Sequence, residues 1–97
     1  MITFKSRCRQ LEDGKNQTKF FALSVGKDFI EGASDKFRKS LNEKYYRIHI
    51  AKKSAKQLPP DCGRYIDIVA DEKDCFLSDK DSHPTIVVRN AKEILRK

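Results

Sequence analysis

Between residues 44 and 53 polar and apolar positions alternate, so that a strand would carry Tyr46, Ile48 and Ile50 on one face and Tyr45, Arg47 and His49 on the other. A period of two is the mark of a half-buried β-strand, with one face for a core and one for solvent. Residues 2–9 show the same period, Ile2, Phe4, Ser6 and Cys8 against Thr3, Lys5, Arg7 and Arg9. The stretch 12–17 supplies turn chemistry, with Gly14 tolerant of positive φ, and predicts a hairpin. Its returning strand, 18–25, directs Phe21, Leu23 and Val25 to one side and Phe20, Ala22 and Ser24 to the other. Lys19 either shares the parity of Phe21 or is displaced by a bulge, and Phe20 is either a stacking residue or a second core contact.

A helical period appears once between these strands. Ser34 can N-cap a short helix in which Phe37 and Leu41 share a face at i, i+4 while Lys36, Arg38 and Lys39 point outward. Residues 54–58 could form one helical turn, stopped by Pro59 and Pro60. A fourth strand, 64–70, sets Ile66 and Ile68 against Tyr65, Asp67 and Val69; an acidic connection over 71–81 leads to a fifth, 85–89, apolar on both faces as for a central position. Ile94 anchors the end. No repeat or linker divides the chain, so residues 1–97 read as one domain.

Charge adds a direction to this pattern. The net charge is +7, yet residues 1–60 carry 14 Lys/Arg against 6 Asp/Glu and residues 61–97 carry 7 against 8. A basic surface confined to the first part of the chain fits a polyanionic partner, because neutralising phosphates releases counterions; a merely solubilising surface is the alternative. No apolar run reaches the roughly 18 residues needed to span a bilayer, and the start of the chain is too polar for a signal peptide. The expected setting is therefore cytoplasmic, the host cytoplasm if the protein is viral, with no membrane partner.

Three cysteines, Cys8, Cys62 and Cys75, are an odd number without CxxC spacing, which predicts reduced thiols. No paired spacing joins Cys62, Cys75 and His83 into a zinc site, and Asp79–His83 lacks the glycine and glutamate of a calcium loop, so neither metal nor cofactor is expected. Catalysis has equally little behind it: no nucleophile motif and no phosphate-cradling glycine loop occur, and His49 with Arg47 and Tyr45 is the one acid–base grouping. The chain reads as a non-enzyme.

Five short strands, a hairpin between the first two and little helix predict a mainly β protein, a small five-stranded β-barrel with one short helix. In this order of elements, and in Gly63-Arg64-Tyr65-Ile66-Asp67-Ile68 followed by Pro84-Thr85-Ile86-Val87-Val88, the chain resembles the OB-fold single-stranded DNA-binding proteins, particularly the small bacteriophage type. The resemblance implies a ligand lying across strands two and three, with aromatics stacked on bases and cations on phosphates. It points to Phe20, Tyr45, Arg47 and His49, to Lys15 in the first loop, to Lys19, to Lys5, Arg7 and Arg9 on strand one, and to Lys52, Lys53 and Lys56 beyond strand three. Two features depart from the family pattern: the acidic connection stands where a basic loop would help, and the helix precedes rather than follows strand three.

The implied function is non-catalytic, largely sequence-independent binding of single-stranded DNA in phage replication or recombination, with replication or recombination proteins as further partners. A homodimer would lengthen the short binding path. Two alternatives use the same surface: an inhibitor or adaptor docking its basic face on an acidic host protein, and an RNA-binding module, which would prefer ribose hydroxyls. Stacking requires Tyr45 and Phe20 to be exposed side by side; charge docking does not.

Overall fold

The alternation seen in the sequence becomes the two faces of one curled sheet. The computed structural model describes residues 1–12, 19–51, 65–78 and 83–96, leaving aside the side chains of 9–12, 19–22 and 96. In chain order the elements are β1 (Ile2–Glu12), β2 (Lys19–Gly26), β3 (Ile30–Glu31), α1 (Asp35–Ser40), β4 (Tyr45–Ile50), β5 (Tyr65–Ala70), β6 (Cys75–Ser78), β7 (Thr85–Val88) and β8 (Ala91–Arg96). The protein is mainly β with one short helix, as its patterning predicts.

Every inward position read from the period-two pattern that lies among the described side chains is buried or half-buried. Ile2, Phe4, Ser6 and Cys8 of β1, Leu23 and Val25 of β2, Tyr46 and Ile48 of β4, Ile66 and Ile68 of β5, and Ile86 and Val88 of β7 form the core. Two polar groups taken into the core are satisfied: Ser6 Oγ donates to the Phe4 carbonyl at 3.1 Å, and the Tyr46 hydroxyl accepts from the Glu43 amide at 2.9 Å. Such partners are what allow a hydroxyl to sit among aliphatic side chains.

The strand order is β6-β7-β4-β2-β1-β5-β8, with β3 paired to β1. Within it β5-β1-β2-β4 places the fourth long strand beside the first, the 4-1-2-3 order of a Greek key, and β7 joins β4 in parallel from Arg47↔Thr85 to Ile50↔Val88. This sheet cannot be flat. If it were, β5 and β6 would stand five strand intervals apart, about 24 Å, yet Ala70 and Cys75 are five residues apart and span at most about 18 Å. Val88 and Ala91 have the same separation to bridge between β7 and β8 with a reach of about 11 Å.

The curl does not close: among the described residues no ladder joins β8 to β6 or β7. The expected five-stranded barrel is thus corrected to an eight-stranded open curl with β6 and β8 at its edges. The two extra edge strands escape the pattern for local reasons. Cys75–Ser78 is four residues long within an acidic stretch, and Ala91–Arg96 places Lys92 and Glu93 in succession, which breaks the alternation.

Two further expectations are corrected. Cys8 is disulfide-bonded, although reduced thiols are expected from the spacing; a disulfide needs proximity in space, which strands can supply to residues far apart in the chain. The acidic connection expected over 71–81 holds, in its described part, a 3-10 turn over Glu72–Asp74 followed by the strand β6.

Candidate nucleic-acid interface

Opposite the core, the ladders of β5, β1, β2 and β4 line up two rows of outward residues. Tyr65 pairs with Arg7, Arg7 with Ser24 and Ser24 with Arg47, so two guanidinium groups flank a small residue in the first row. In the second, Asp67 pairs with Lys5 and Gly26 with Tyr45. Small side chains along β2 leave the middle of this face low. The result is a hollow of about 490 Å³ lined by Lys5, Arg7, Ser24, Gly26, Phe29, Tyr45, Tyr65 and Asp67.

Phe29 reaches this hollow because β1 changes partner. Its ladder with β2 runs from Glu12 to Arg7, and its pairing with β3 resumes only at Phe4↔Ile30. Between them the chain leaves the sheet as a 3-10 turn, Lys27–Phe29, pinned by the Lys27 amide donating to the Lys44 carbonyl at 2.8 Å. The turn projects Phe29 outward at 58 % exposure beside Tyr45 at 72 %, with Tyr65 at 53 % across the hollow. Gly26 lies under the first two rings: a Cβ there would stand 3.1 Å from Phe29 Cδ2 and 3.6 Å from Tyr45 Cε1.

The cations differ in availability. Lys5 Nζ lies 2.9 Å from Glu31 Oε1, and that hydrogen bond and charge, with Asp67 adding, hold its ammonium above the ordinary lysine value. Arg7 and Arg47 form no salt bridge among the described residues. Exposed rings beside uncommitted guanidinium groups can hold a planar, anionic ligand by stacking and charge together.

Tyr45, Arg47 and His49 are exposed on one face as the sequence predicts, and Lys5 and Arg7 join Tyr45 in the hollow. Arg9, Lys19 and Phe20 lie in β1 and β2, paired with Ala22, Glu12 and Leu11, while their side chains fall outside the description, as do Lys15, Lys52, Lys53 and Lys56 altogether. Phe29 and Tyr65 are the additions. Tyr65 already stands on the outward parity of its strand; Phe29 follows no period and becomes visible only through the break in the β1 ladder.

The acidic segment is occupied elsewhere. Glu72 accepts from the Ser34 amide at 2.7 Å and from its hydroxyl at 2.8 Å, which holds its carboxyl below the usual range, while Ser34 Oγ caps α1 by accepting from the Phe37 amide at 3.2 Å. Asp71 pairs with Lys92 at 3.3 Å. These carboxylates fasten the helix and β8 to the sheet. Behind them Cys75 is a free, buried thiol, pushed up to about 12 by burial and the neighbouring acids.

Among the described residues no group of three or more His, Cys, Asp and Glu could hold a metal ion, and no helix is long and apolar enough to cross a membrane. No protein-family model matches the chain, and no curated protein or solved structure matches it significantly.

Proposed function

We propose that this protein is a non-catalytic, largely sequence-independent single-stranded DNA-binding protein that holds exposed strands across β1, β2 and β4 during replication or recombination, as a bacteriophage protein would. The observation that carries the proposal is the pair of exposed rings, Tyr45 and Phe29, set over Gly26 in the same hollow as Arg7. Unpaired bases offer flat faces to such rings, and the guanidinium groups of Arg7 and Arg47 stand one ladder row away for the phosphates. The four-strand Greek-key order with an incomplete closure supports the reading, because it is the architecture in which OB-folds bind oligonucleotides on the second and third strands.

Docking on an acidic host protein would use the same charges without needing the rings. An RNA ligand would need donors or acceptors for ribose hydroxyls. The test is binding of oligo-dT, oligo-U and duplex DNA across a salt series, with wild-type protein and Tyr45→Ala. Preference for the single strand over duplex, lost with Tyr45, is the expected result; no single-strand binding at low salt overturns the proposal.

A further inference from the structure

A carboxylate inside an otherwise cationic and aromatic hollow is the feature that phosphate binding leaves unexplained. Asp67 stands on β5 directly opposite Lys5, half-buried, and lines the hollow together with Tyr45, Phe29 and Tyr65. For a polyanion this is the wrong sign: a phosphate brought against Asp67 would be repelled, whereas the row one step along, Arg7 and Arg47, has none of that penalty. The two rows therefore divide the work between them. The sugar–phosphate backbone favours the Arg7–Arg47 row, and the bases, projecting from it, fall on the row of Tyr45, Gly26, Lys5 and Asp67.

We propose, on the premise that the hollow binds single-stranded DNA, that Asp67 is a specificity-determining residue which reads the edge of a base stacked in the hollow and favours bases carrying an exocyclic amine. An ionised carboxylate only accepts hydrogen bonds. Cytosine presents its N4 amine to such an acceptor, a pairing that carboxylates use in base recognition. Thymine presents carbonyl oxygens on both sides of its single N–H, and these oxygens repel the carboxylate. Lys5, held beside Asp67 by the ladder, has ammonium protons left over from its pair with Glu31 and can donate one to the ring carbonyl of the same cytosine. The hollow is open to water, so the result is a bias among bases within a binding mode that tolerates them all.

Oligo-dC and oligo-dT of equal length isolate this effect, since both are pyrimidines with similar stacking area. Fluorescence anisotropy at pH 8, where cytosine is neutral, should show wild-type protein binding oligo-dC about fivefold more tightly than oligo-dT. Asp67→Asn, whose amide offers a donor as well as an acceptor, should bring the two affinities together while raising both, because a negative charge leaves the face. Equal wild-type affinities for the two strands overturn the inference without any variant. So does a dC preference that survives in a folded Asp67→Asn protein. Failure of both strands to bind at low salt instead removes the premise, and with it the inference.

Discussion

Lys5 and Glu31 form a 2.9 Å ion pair at the border of the aromatic hollow, so one of the cations that strand β1 presents is already spoken for. Arg7, two residues along on the same face, forms no salt bridge among the described residues. The pair results from β3, which brings Glu31 opposite Thr3 and within reach of Lys5.

Releasing Lys5 should therefore strengthen binding. Glu31→Gln, which removes a negative charge from the border of the hollow, is expected to raise affinity for oligo-dT while changing the slope of log affinity against log salt by well under the roughly 0.7 that one phosphate contact contributes on a single strand. Arg7→Ala should lose about that slope, and Lys5→Ala clearly less. A salt series by fluorescence anisotropy measures all three, and equal effects of Arg7→Ala and Lys5→Ala would show that the ion pair does not restrain Lys5.

The two rings over Gly26 give a second set of expectations. Tyr45→Ala and Phe29→Ala should each cost roughly 1–3 kcal/mol in oligo-dT binding, with the double variant less than additive because the rings share a site. Gly26 has φ −76° and ψ 144°, ordinary extended backbone, so Gly26→Ala is conformationally permitted; its one tight contact is the edge of Phe29 at 3.1 Å, with Tyr45 at an ordinary 3.6 Å. Its stability change should stay within about 1 kcal/mol while binding falls, if the ring it displaces stacks on a base as proposed. Paired thermal melts and binding curves separate the two.

Much of this face can be read from the chain alone, and the reason is the period of two. Tyr45, Arg47 and His49 alternate with Tyr46 and Ile48, and Lys5 and Arg7 with Phe4, Ser6 and Cys8, so burying one parity exposes the other. The helix is legible because Ser34 is a strong cap. Phe29 is not legible: it sits in a turn where no periodicity operates, and its exposure depends on β1 exchanging β2 for β3. The role of Glu72 is hidden for the same reason, since its partner Ser34 lies 38 residues away. The open curl likewise depends on edge strands too short or too charged to show a pattern.

Among the described glycines, Gly32 is the one where the backbone leaves least freedom. Its φ is +77°, and a Cβ would stand 2.3 Å from the Met1 carbonyl oxygen, a backbone atom that cannot swing aside. Gly32→Ala should therefore destabilise by more than about 1–2 kcal/mol, left-handed strain alone accounting for that much. Chemical denaturation of Gly32→Ala beside Gly26→Ala makes the comparison, and similar losses would contradict it.

Ser34 joins helix α1 to the acidic turn, and both sides of that joint can be tested. Ser34→Ala removes the cap on the Phe37 amide and should cost about 1 kcal/mol. The Ser34 amide and hydroxyl lower the Glu72 carboxyl below its unfolded value. Stability from this group is fully present above the unfolded value and is lost as pH falls through the lowered one, because the unfolded chain takes up its proton first. Glu72→Gln should flatten the acid limb of a stability–pH profile; an unchanged limb would show that the carboxylate contributes nothing there.

Cys75 makes the opposite prediction, at the alkaline end. Burial moves its thiol from the usual 9.0 to about 12, so between those values the unfolded chain has lost a proton that the folded chain still holds. The unfolded state then binds fewer protons, and stability falls as pH rises through that window. Cys75→Ala should remove this part of the alkaline decline. Because the thiolate is the reactive form, the native protein at pH 8 should also react with a thiol reagent far more slowly at Cys75 than the unfolded chain does. With Cys8 held in a disulfide, denaturation without reductant should expose fewer reactive thiols than the chain's three cysteines. Rapid labelling of Cys75 in the native state would mean that β6 opens readily at its edge of the sheet, and the alkaline decline should then disappear with it.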